Sequence, residues 1–564
     1  MNNFTLKKNI DGSYTLFIYL TSFNVEFSDE LSDREIMSRV RKKYKNIVIK
    51  TVKVVLASGM VISIPFSSLA KEDKDKFAMS YVYFGSVATQ VENVKRSSKV
   101  LDVVSPSYFD LHSDGSLDVK NLSIDFISQM KAQGIKVVPF LSNHWDKKTG
   151  NNALDKGEYL AKEIAKVIEK YDLDGVNVDI ENVDHTYREK YTNFIKYLRE
   201  YIPYDKEVSV AVAANPYGWK NGWQGSYDYE KLGEYADYLM IMTYDEHYEG
   251  GEEGPVASID FVRDSIEYAL EYVEPEKIVV GVPFFGRIWG ENLNGSGVSL
   301  NRVNELINTF NAKVYYDIDS HSPVATFSVK STDKPFYING KLLKNGNYVV
   351  WFENNESLRE KFKLINQYDL KGVGNWSAGQ EHSGIWDYYE LWLSGNYFND
   401  IVGHYAKEDI LKVYAEGIMK GENEDSFAPE KKLTRGQAAI IMARVLGISP
   451  AQSVMFSDTK GHYAAGYITA LAQRNLMQGY SDGSFKPDRE MTREEMAAVL
   501  SRIVEPDYHM GGQYYSDVKP DMWSYEEISA LTKAGIMQGY FDGTFKPYKP
   551  VTRAEVAVVL NRLK

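Results

Sequence analysis

Between Met79 and Trp376 the chain returns eight times to a short, nearly continuous run of β-branched and aromatic residues. The runs are Ser80 to Val87, Leu101 to Ser107, Ile135 to Leu141, Gly175 to Ile180, Val208 to Ala214, Tyr238 to Thr243, Lys277 to Phe285 and Gly372 to Trp376. Runs without polar alternation are those of strands covered on both faces. Several gaps between them carry helical spacing, with Leu160, Ile164, Val167 and Ile168 in one and Tyr191, Ile195 and Leu198 in another. Eight such strands interleaved with helices predict an α/β fold, a closed (β/α)8 barrel over 77–392. The longest interruption, about 289–356, reads as a small β-rich insertion before the eighth strand.

A different period follows. The segment from Gly417 to Leu446 recurs from Leu476 to Val504 and from Gly535 to Leu563. Its Thr-Arg pairs, Thr434-Arg435, Thr492-Arg493 and Thr552-Arg553, stand 58 and 60 residues apart. Units this short bury their apolar faces against one another, so 398–450, 453–506 and 512–564 are read as three tandem, helix-rich repeats. A chain of 564 residues has room for both parts, because single cores stop growing near ~300 residues.

Residues 1–51 read as a short polar extension, with a strand-like run at Tyr14 to Leu20 and an amphipathic helix that ends in a basic cluster. In 52–70 a basic flank precedes an apolar run and small residues at Ser68 and Ala70, as in a signal peptide. A short membrane anchor and a buried strand are the other readings of this segment. Any membrane contact is expected through it alone. The net charge of -13 gives no field that would gather nucleic acid. The chain has no cysteine, which excludes disulfides, thiolate metal sites and a thiol nucleophile. Its histidines show no metal-ligand spacing and no phosphate-cradling glycine loop is present, so neither metal nor cofactor is expected.

The run with most chemical content is YDLDGVNVDIENVD, Tyr171 to Asp184. Asp179 and Glu181 are two residues apart at the end of the fourth strand and share its inner face. That end opens at the barrel mouth, where active sites form. Two carboxylates so close raise each other's proton affinity, and an acid raised toward neutrality can donate a proton.

This run resembles the DxxDxDxE signature of glycoside hydrolase family 18, with Asp174, Asp179 and Glu181 matching and Asn177 standing where the family commonly has Asp. Further matches are Met242, Tyr244 and Asp245 in IMTYDEH, Pro283 and Arg287 in GVPFFGRIW, and Trp376 in GVGNW. The departure at Asn177 is similar to the spore-germination and cortex-lytic branch. The resemblance implies a retaining glycosidase acting on a β-linked polymer containing N-acetylglucosamine, peptidoglycan or spore cortex before chitin. It implies Glu181 as acid and base, Asp179 as stabiliser of the acetamido group, Asp174 as a partner below Asp179, and Tyr244 as an acetamido ligand. Trp376, Asp245, Arg287, Asn177 and Trp145 are expected to bind substrate. A surface carbohydrate-binding protein without catalysis is the alternative.

The repeats resemble S-layer homology domains, by Asp458 with His462-Tyr463, Asp517 with Trp523, the DGSF and DGTF turns, and the Thr-Arg motif. The first repeat departs, with an EDSF turn and Gly436-Gln437 after its Thr-Arg pair. The resemblance implies that Arg435, Arg493, Arg553, Asp458, Asp517 and Trp523 bind a secondary cell wall polysaccharide. The protein is then expected outside the cell, on the wall or spore of a Gram-positive type bacterium.

Overall fold

The computed structural model describes residues 3–8, 14–19, 49–55, 61–65, 76–97, 100–506 and 514–563. Residues 75–397 form one compact unit, and 398–564 belong to another.

The first unit is the expected barrel. Its strands are β1 (Phe77–Val82), β2 (Val103–Pro106), β3 in two pieces (Lys136–Val137 and Phe140–Ser142), β4 (Gly175–Asp179), β5 (Glu207–Ala213), β6 (Tyr238–Met242), β7 (Ile278–Pro283) and β8 (Gly372–Trp376). All neighbours pair in parallel, from β4 through β8 and on to β1 and β2. Closure falls to β3, whose first piece pairs with β2 and whose second pairs with β4. β4 and β7 are buried along their whole length, which explains their unbroken apolar sequence.

Met79, Tyr81, Val103, Val138, Phe140, Tyr238, Met240 and Val279 pack together as a core cluster. Helices begin where short polar side chains accept a backbone N–H: Ser86 before Val87–Lys95, Ser123 before Ile124–Ala132, Ser258 before Ile259–Leu270. Asn354 and Ser357 form a reciprocal capping box for Asn355–Gln367.

The insertion starts earlier than its composition suggests. Phe285–Gly290 leaves β7 after one residue and enters a five-stranded antiparallel sheet with Leu293–Ser299, Lys313–Asp317, Ser322–Val329 and Gly346–Trp351. Phe285 therefore ends no barrel strand, and Arg287 is carried by the insertion.

Of the apolar segment at 52–70, read as a signal peptide, a short anchor or a buried strand, residues 52–55 and 61–65 are described and lie in strands. Ile49–Val55 and Val61–Pro65 are antiparallel strands, and Ile49–Val55 also pairs with Tyr14–Tyr19. Both strands are rich in Val and Ile, whose branched side chains suit a pleated surface. Among the described residues no helix is long and apolar enough to cross a membrane. The basic helix expected before this segment lies outside the described residues.

In the repeats, each unit contributes two helices: Lys407–Ala415 and Arg435–Val445, Ala465–Ala472 and Arg493–Val504, Tyr525–Lys533 and Arg553–Arg562. The second helix of each unit packs on the first helix of the next, and the third unit closes back onto the first. At the centre, Leu433 N–H donates to Val551, Val551 to Met491 and Met491 to Leu433, at 2.9 to 3.0 Å. Three segments thus satisfy one another's backbone in a ring.

Candidate active site

Asp179 is the last residue of β4, and Glu181 follows at the mouth of the barrel. The residues alternating with them, Val176, Val178 and Ile180, are fully buried. The peptide linking the two acids is held firmly. Asn143 donates its side-chain amide to the Glu181 carbonyl and accepts the Glu181 N–H, both at 2.8 Å. Tyr191 and Tyr227 donate their hydroxyls to the Ile180 carbonyl at 3.3 and 3.0 Å. The sequence placed Asn143 in a loop after the third strand that could contact sugar and Tyr191 on a helix face, but did not show these bonds, which run to backbone atoms of a distant segment.

Asp179 is 6% exposed, and its Oδ1 has no hydrogen-bond partner among the described residues. A buried carboxylate oxygen left without a donor costs stability, so such atoms mark places where a ligand completes the set. Burial raises the proton affinity of Asp179, while the nearby His144 opposes that rise. Glu181 is raised well above the carboxylate range, first by burial and then by Asp179 and Asp245. The two acids are coupled, so the pair retains a proton in the neutral range.

Asp174 is a correction to the sequence reading. It precedes β4 at the opposite end from Asp179, roughly 16 Å away for five residues of strand. Its Oδ2 accepts the Val137 N–H at 2.8 Å, and its peptide bonds to Val137 and Glu207. It ties β3, β4 and β5 together at the closed end of the barrel. Asn177 is also corrected: fully buried, it reaches no bound sugar. Its amide donates to Ser209 Oγ and accepts the Tyr81 hydroxyl, each at 2.9 Å. The chain continues downward, because Ser209 and Tyr238 both donate to Glu207, at 2.9 and 2.6 Å. Burial lifts Glu207 to about 7.

Four other predicted residues do gather at the mouth. Tyr244 lies close enough to the acids for both to raise its hydroxyl, after burial itself. Its ring passes over Gly281, where a Cβ would meet Tyr244 Cε1 at 3.0 Å and the Ile241 carbonyl at 2.6 Å. Asp245 receives a bidentate bond from Arg287, Nε to Oδ1 at 2.8 Å and Nη2 to Oδ2 at 2.7 Å. Arg287 also donates to the Gly295 carbonyl, so its role is to hold Asp245 at the rim. Trp376 ends β8, with its ring against Tyr81 and Tyr83 at centroid distances of 5.3 and 5.6 Å.

Trp145 stands apart, 50% exposed and edge-on to Trp223 at 4.9 Å. Tyr217 and Trp219 form another exposed pair beyond β5, 4.8 Å apart. Such aromatic pairs at the mouth offer apolar faces for sugar rings. His144, Trp145, Asn182 and Asp245 all have positive φ, between 48° and 65°. Non-glycine residues in this region are uncommon and gather at functional sites.

In the repeats the three arginines are tied to backbone carbonyls of the neighbouring unit. Arg435 Nε donates to the Phe485 carbonyl at 3.0 Å and Nη2 to Gln478 at 2.8 Å. Arg493 repeats this on Phe545 and Gln538, and Arg553 on Phe427 and Lys420. All three are buried, and each faces a carboxylate, Glu495, Glu555 or Glu422. Each guanidinium braces the turn of the neighbouring repeat. The threonines before them are N-caps in reciprocal capping boxes with Gln437, Glu495 and Glu555. The Thr-Arg-x-Glu motif is therefore read out in helix starts and inter-repeat bonds.

Asp458 and Asp517 are also structural, accepting backbone N–H groups of their own turns at Phe485-Lys486 and Phe545-Lys546. Asp400 does the same at Phe427-Ala428 in the first repeat, which the sequence reading did not single out. Trp523 remains open to solvent at 58%, as do Tyr405 and Tyr463 at the corresponding positions. Lys486 lies over the Tyr480 ring and Lys546 over Tyr540, at 4.4 and 4.3 Å. In the first repeat the tyrosine is replaced by Glu422, which pairs with Lys431 at 2.6 Å.

Residues 79–381 match the model for glycosyl hydrolases family 18, and residues 397–439, 456–497 and 514–557 match the S-layer homology domain. The uncharacterized glycosylase YvbX of Bacillus subtilis (strain 168) is 25% identical over 346 residues, covering 59% of this chain and 96% of that protein. The cortical fragment-lytic enzyme of the same organism is 29% identical over 234 residues, 40% of this chain. The chain spans 51% of that relative's length. The crystal structure of a chitinase from Chromobacterium violaceum ATCC 12472 is similar with a TM-score of 0.51 at 24% identity, covering 56% of this chain and 99% of that one. That likeness concerns the barrel fold.

Proposed function

We propose that this chain, which belongs to glycosyl hydrolase family 18 and carries three S-layer homology domains, cleaves a wall glycan by substrate-assisted catalysis. It is a glycosidase associated with the cell surface, and its substrate contains N-acetylglucosamine. The observation that carries the mechanism is the acid pair at the barrel mouth, two residues apart at the end of β4 and with Asp179 Oδ1 unpartnered.

Glu181 donates its proton to the glycosidic oxygen as the bond from carbon one breaks. The oxygen of the substrate's own 2-acetamido group attacks carbon one and forms an oxazolinium ion. Asp179 accepts a hydrogen bond from the acetamido N–H and balances the developing positive charge, with Tyr244 donating to the acetamido group. Trp376 lies beneath the sugar. Water then adds to carbon one, Glu181 takes its proton, and the product keeps its anomeric configuration. Peptidoglycan, cortex in particular, is the favoured substrate, supported by the likeness to a cortical fragment-lytic enzyme. For wall attachment, the exposed Tyr405, Tyr463 and Trp523 and the lysine-topped Tyr480 and Tyr540 take the place first given to the arginines. The organism is read as a Gram-positive type bacterium.

Mass spectrometry and anomeric NMR of products from cortex peptidoglycan, vegetative peptidoglycan and chitin oligomers test this reading side by side. The expected result is retained β-N-acetylglucosamine reducing ends, cortex first, and none from Glu181→Gln. Inverted products, or turnover that survives Glu181→Gln, would overturn it. Removal of Asp400 to Lys564 should release the enzyme from purified walls while soluble oligomers are still cleaved.

A further inference from the structure

The sequence marks His144 only as a member of a loop after β3, yet its surroundings give it a particular place. Register puts Asp110, Ser142 and Asp179 side by side on three adjacent parallel strands, since Ser142 pairs with both. Two residues later the chain turns back on itself, with positive φ at His144 and Trp145. The His144 N–H bonds to Ser142 Oγ at 3.0 Å, and its Nε2 reaches Asp110 Oδ1 at 2.7 Å. Asp110 is 7% exposed, and Lys120 lies 3.2 Å from its other oxygen. A half-exposed imidazole is thus fixed above the row, between a buried carboxylate and the catalytic acids.

We propose that Asp110 and His144 form a positioning couple for the reaction: the imidazole, tied down by Asp110, favours Asp179 as the anion and leaves the pair's proton on Glu181. Two buried acids that share one proton have two ways to place it, and only one of them donates to a glycosidic oxygen. A cation on the Asp179 side favours that arrangement. The field of His144 already opposes protonation of Asp179. The charged groups around His144 are Asp110, Asp118 and Lys120 on and after the hairpin Phe109–Leu111/Leu117–Val119, and Asp179 at the end of β4. No covalent step involves the imidazole.

The inference rests on Glu181 as proton donor, and its test is arranged to separate the two. His144→Asn is the main variant, because Asn tolerates the left-handed backbone and carries no charge. With an N-acetylglucosamine tetramer as substrate, kcat near neutral pH should fall about tenfold while KM changes little. The acid limb of the kcat profile should move up by about one pH unit, the shift a neighbouring charge produces. Asp110→Asn should move it in the same direction by less, and the double variant should add nothing further. His144→Gly should recover turnover when imidazole is supplied, which keeps the test open if the Asn variant folds poorly. An unmoved acid limb, an effect confined to KM, or fully additive variants would overturn the couple. Wild-type turnover with a dead Glu181→Gln and an unmoved limb sinks this inference alone; surviving turnover in Glu181→Gln sinks the donor as well.

Discussion

The barrel mouth and the repeat ring both bury charge, and they do so in opposite ways. Asp179 is buried with one oxygen unpartnered, and Glu181 beside it makes no side-chain hydrogen bond among the described residues. Arg435, Arg493 and Arg553 are equally buried, but each is anchored to two backbone carbonyls and faces a carboxylate. An unpartnered buried charge is a cost that chemistry must justify, whereas a fully partnered one is part of the scaffold. The contrast separates working residues from bracing ones more cleanly than motif membership does, since both sets lie in signature runs.

Glu181→Gln should give the largest effect, a drop in kcat of about 10³-fold, the middle of the range for loss of a general acid. The same variant should melt at an unchanged or higher temperature, because it replaces a carboxyl that makes no side-chain hydrogen bond among the described residues by a group that never ionises; a lower melting temperature would break the comparison. Arg493→Met should do the reverse. It leaves the Phe545 and Gln538 carbonyls without their donor, and calorimetry of the repeats should register a loss of about 3 kcal/mol. Hydrolysis of soluble oligomers should be untouched.

The acid pair also sets the sign of a pH effect. Folded-state proton affinities of Asp179 and Glu181 are raised, so between the unfolded carboxylate range and neutrality the folded barrel binds more protons than the unfolded chain. The stability they contribute is complete below about pH 4 and is lost as the pH rises through the folded values. Urea melts of the barrel should lose roughly 1 to 2 kcal/mol over that window, and Glu181→Gln should flatten the slope. A rising slope would refute the burial argument. The smallest effect belongs to Asp174→Asn, placed at the closed end. Stability should fall by about 1 kcal/mol and kcat should stay within about threefold. A loss as deep as that of Glu181→Gln would restore the role its motif suggested.

Much of this was legible beforehand, and the failures share a cause. Eight apolar runs specified the eight barrel strands, because a strand covered on both faces has no freedom to alternate. Asp179 and Glu181 were singled out by their spacing at a strand end and Tyr244 and Trp376 by the family resemblance, and the four gather because strand ends in a barrel converge on one mouth. Asp174 was misassigned because a motif is linear, while five residues of strand carry it to the other end of the cylinder. The bracing bonds of Asn143, Tyr191 and Tyr227 could not be read beforehand since their partners are backbone atoms far along the chain. The apolar segment at 52–70 stayed open between a leader, an anchor and a strand because hydropathy does not separate them. The bonds of the repeat arginines could not be read beforehand because a recurring charge advertises a ligand as readily as it does a brace.

The central claim is that the acid pair at the mouth keeps a proton, on Glu181, where ordinary carboxylates have lost theirs. A carboxyl-carbon NMR titration of the enzyme labelled at aspartate and glutamate measures this directly, with Glu181→Gln assigning the signal. The account predicts one carboxyl resonance that stays protonated into the neutral range and vanishes in that variant. Complete titration of Glu181 near about pH 4, alongside the surface carboxylates, would contradict it.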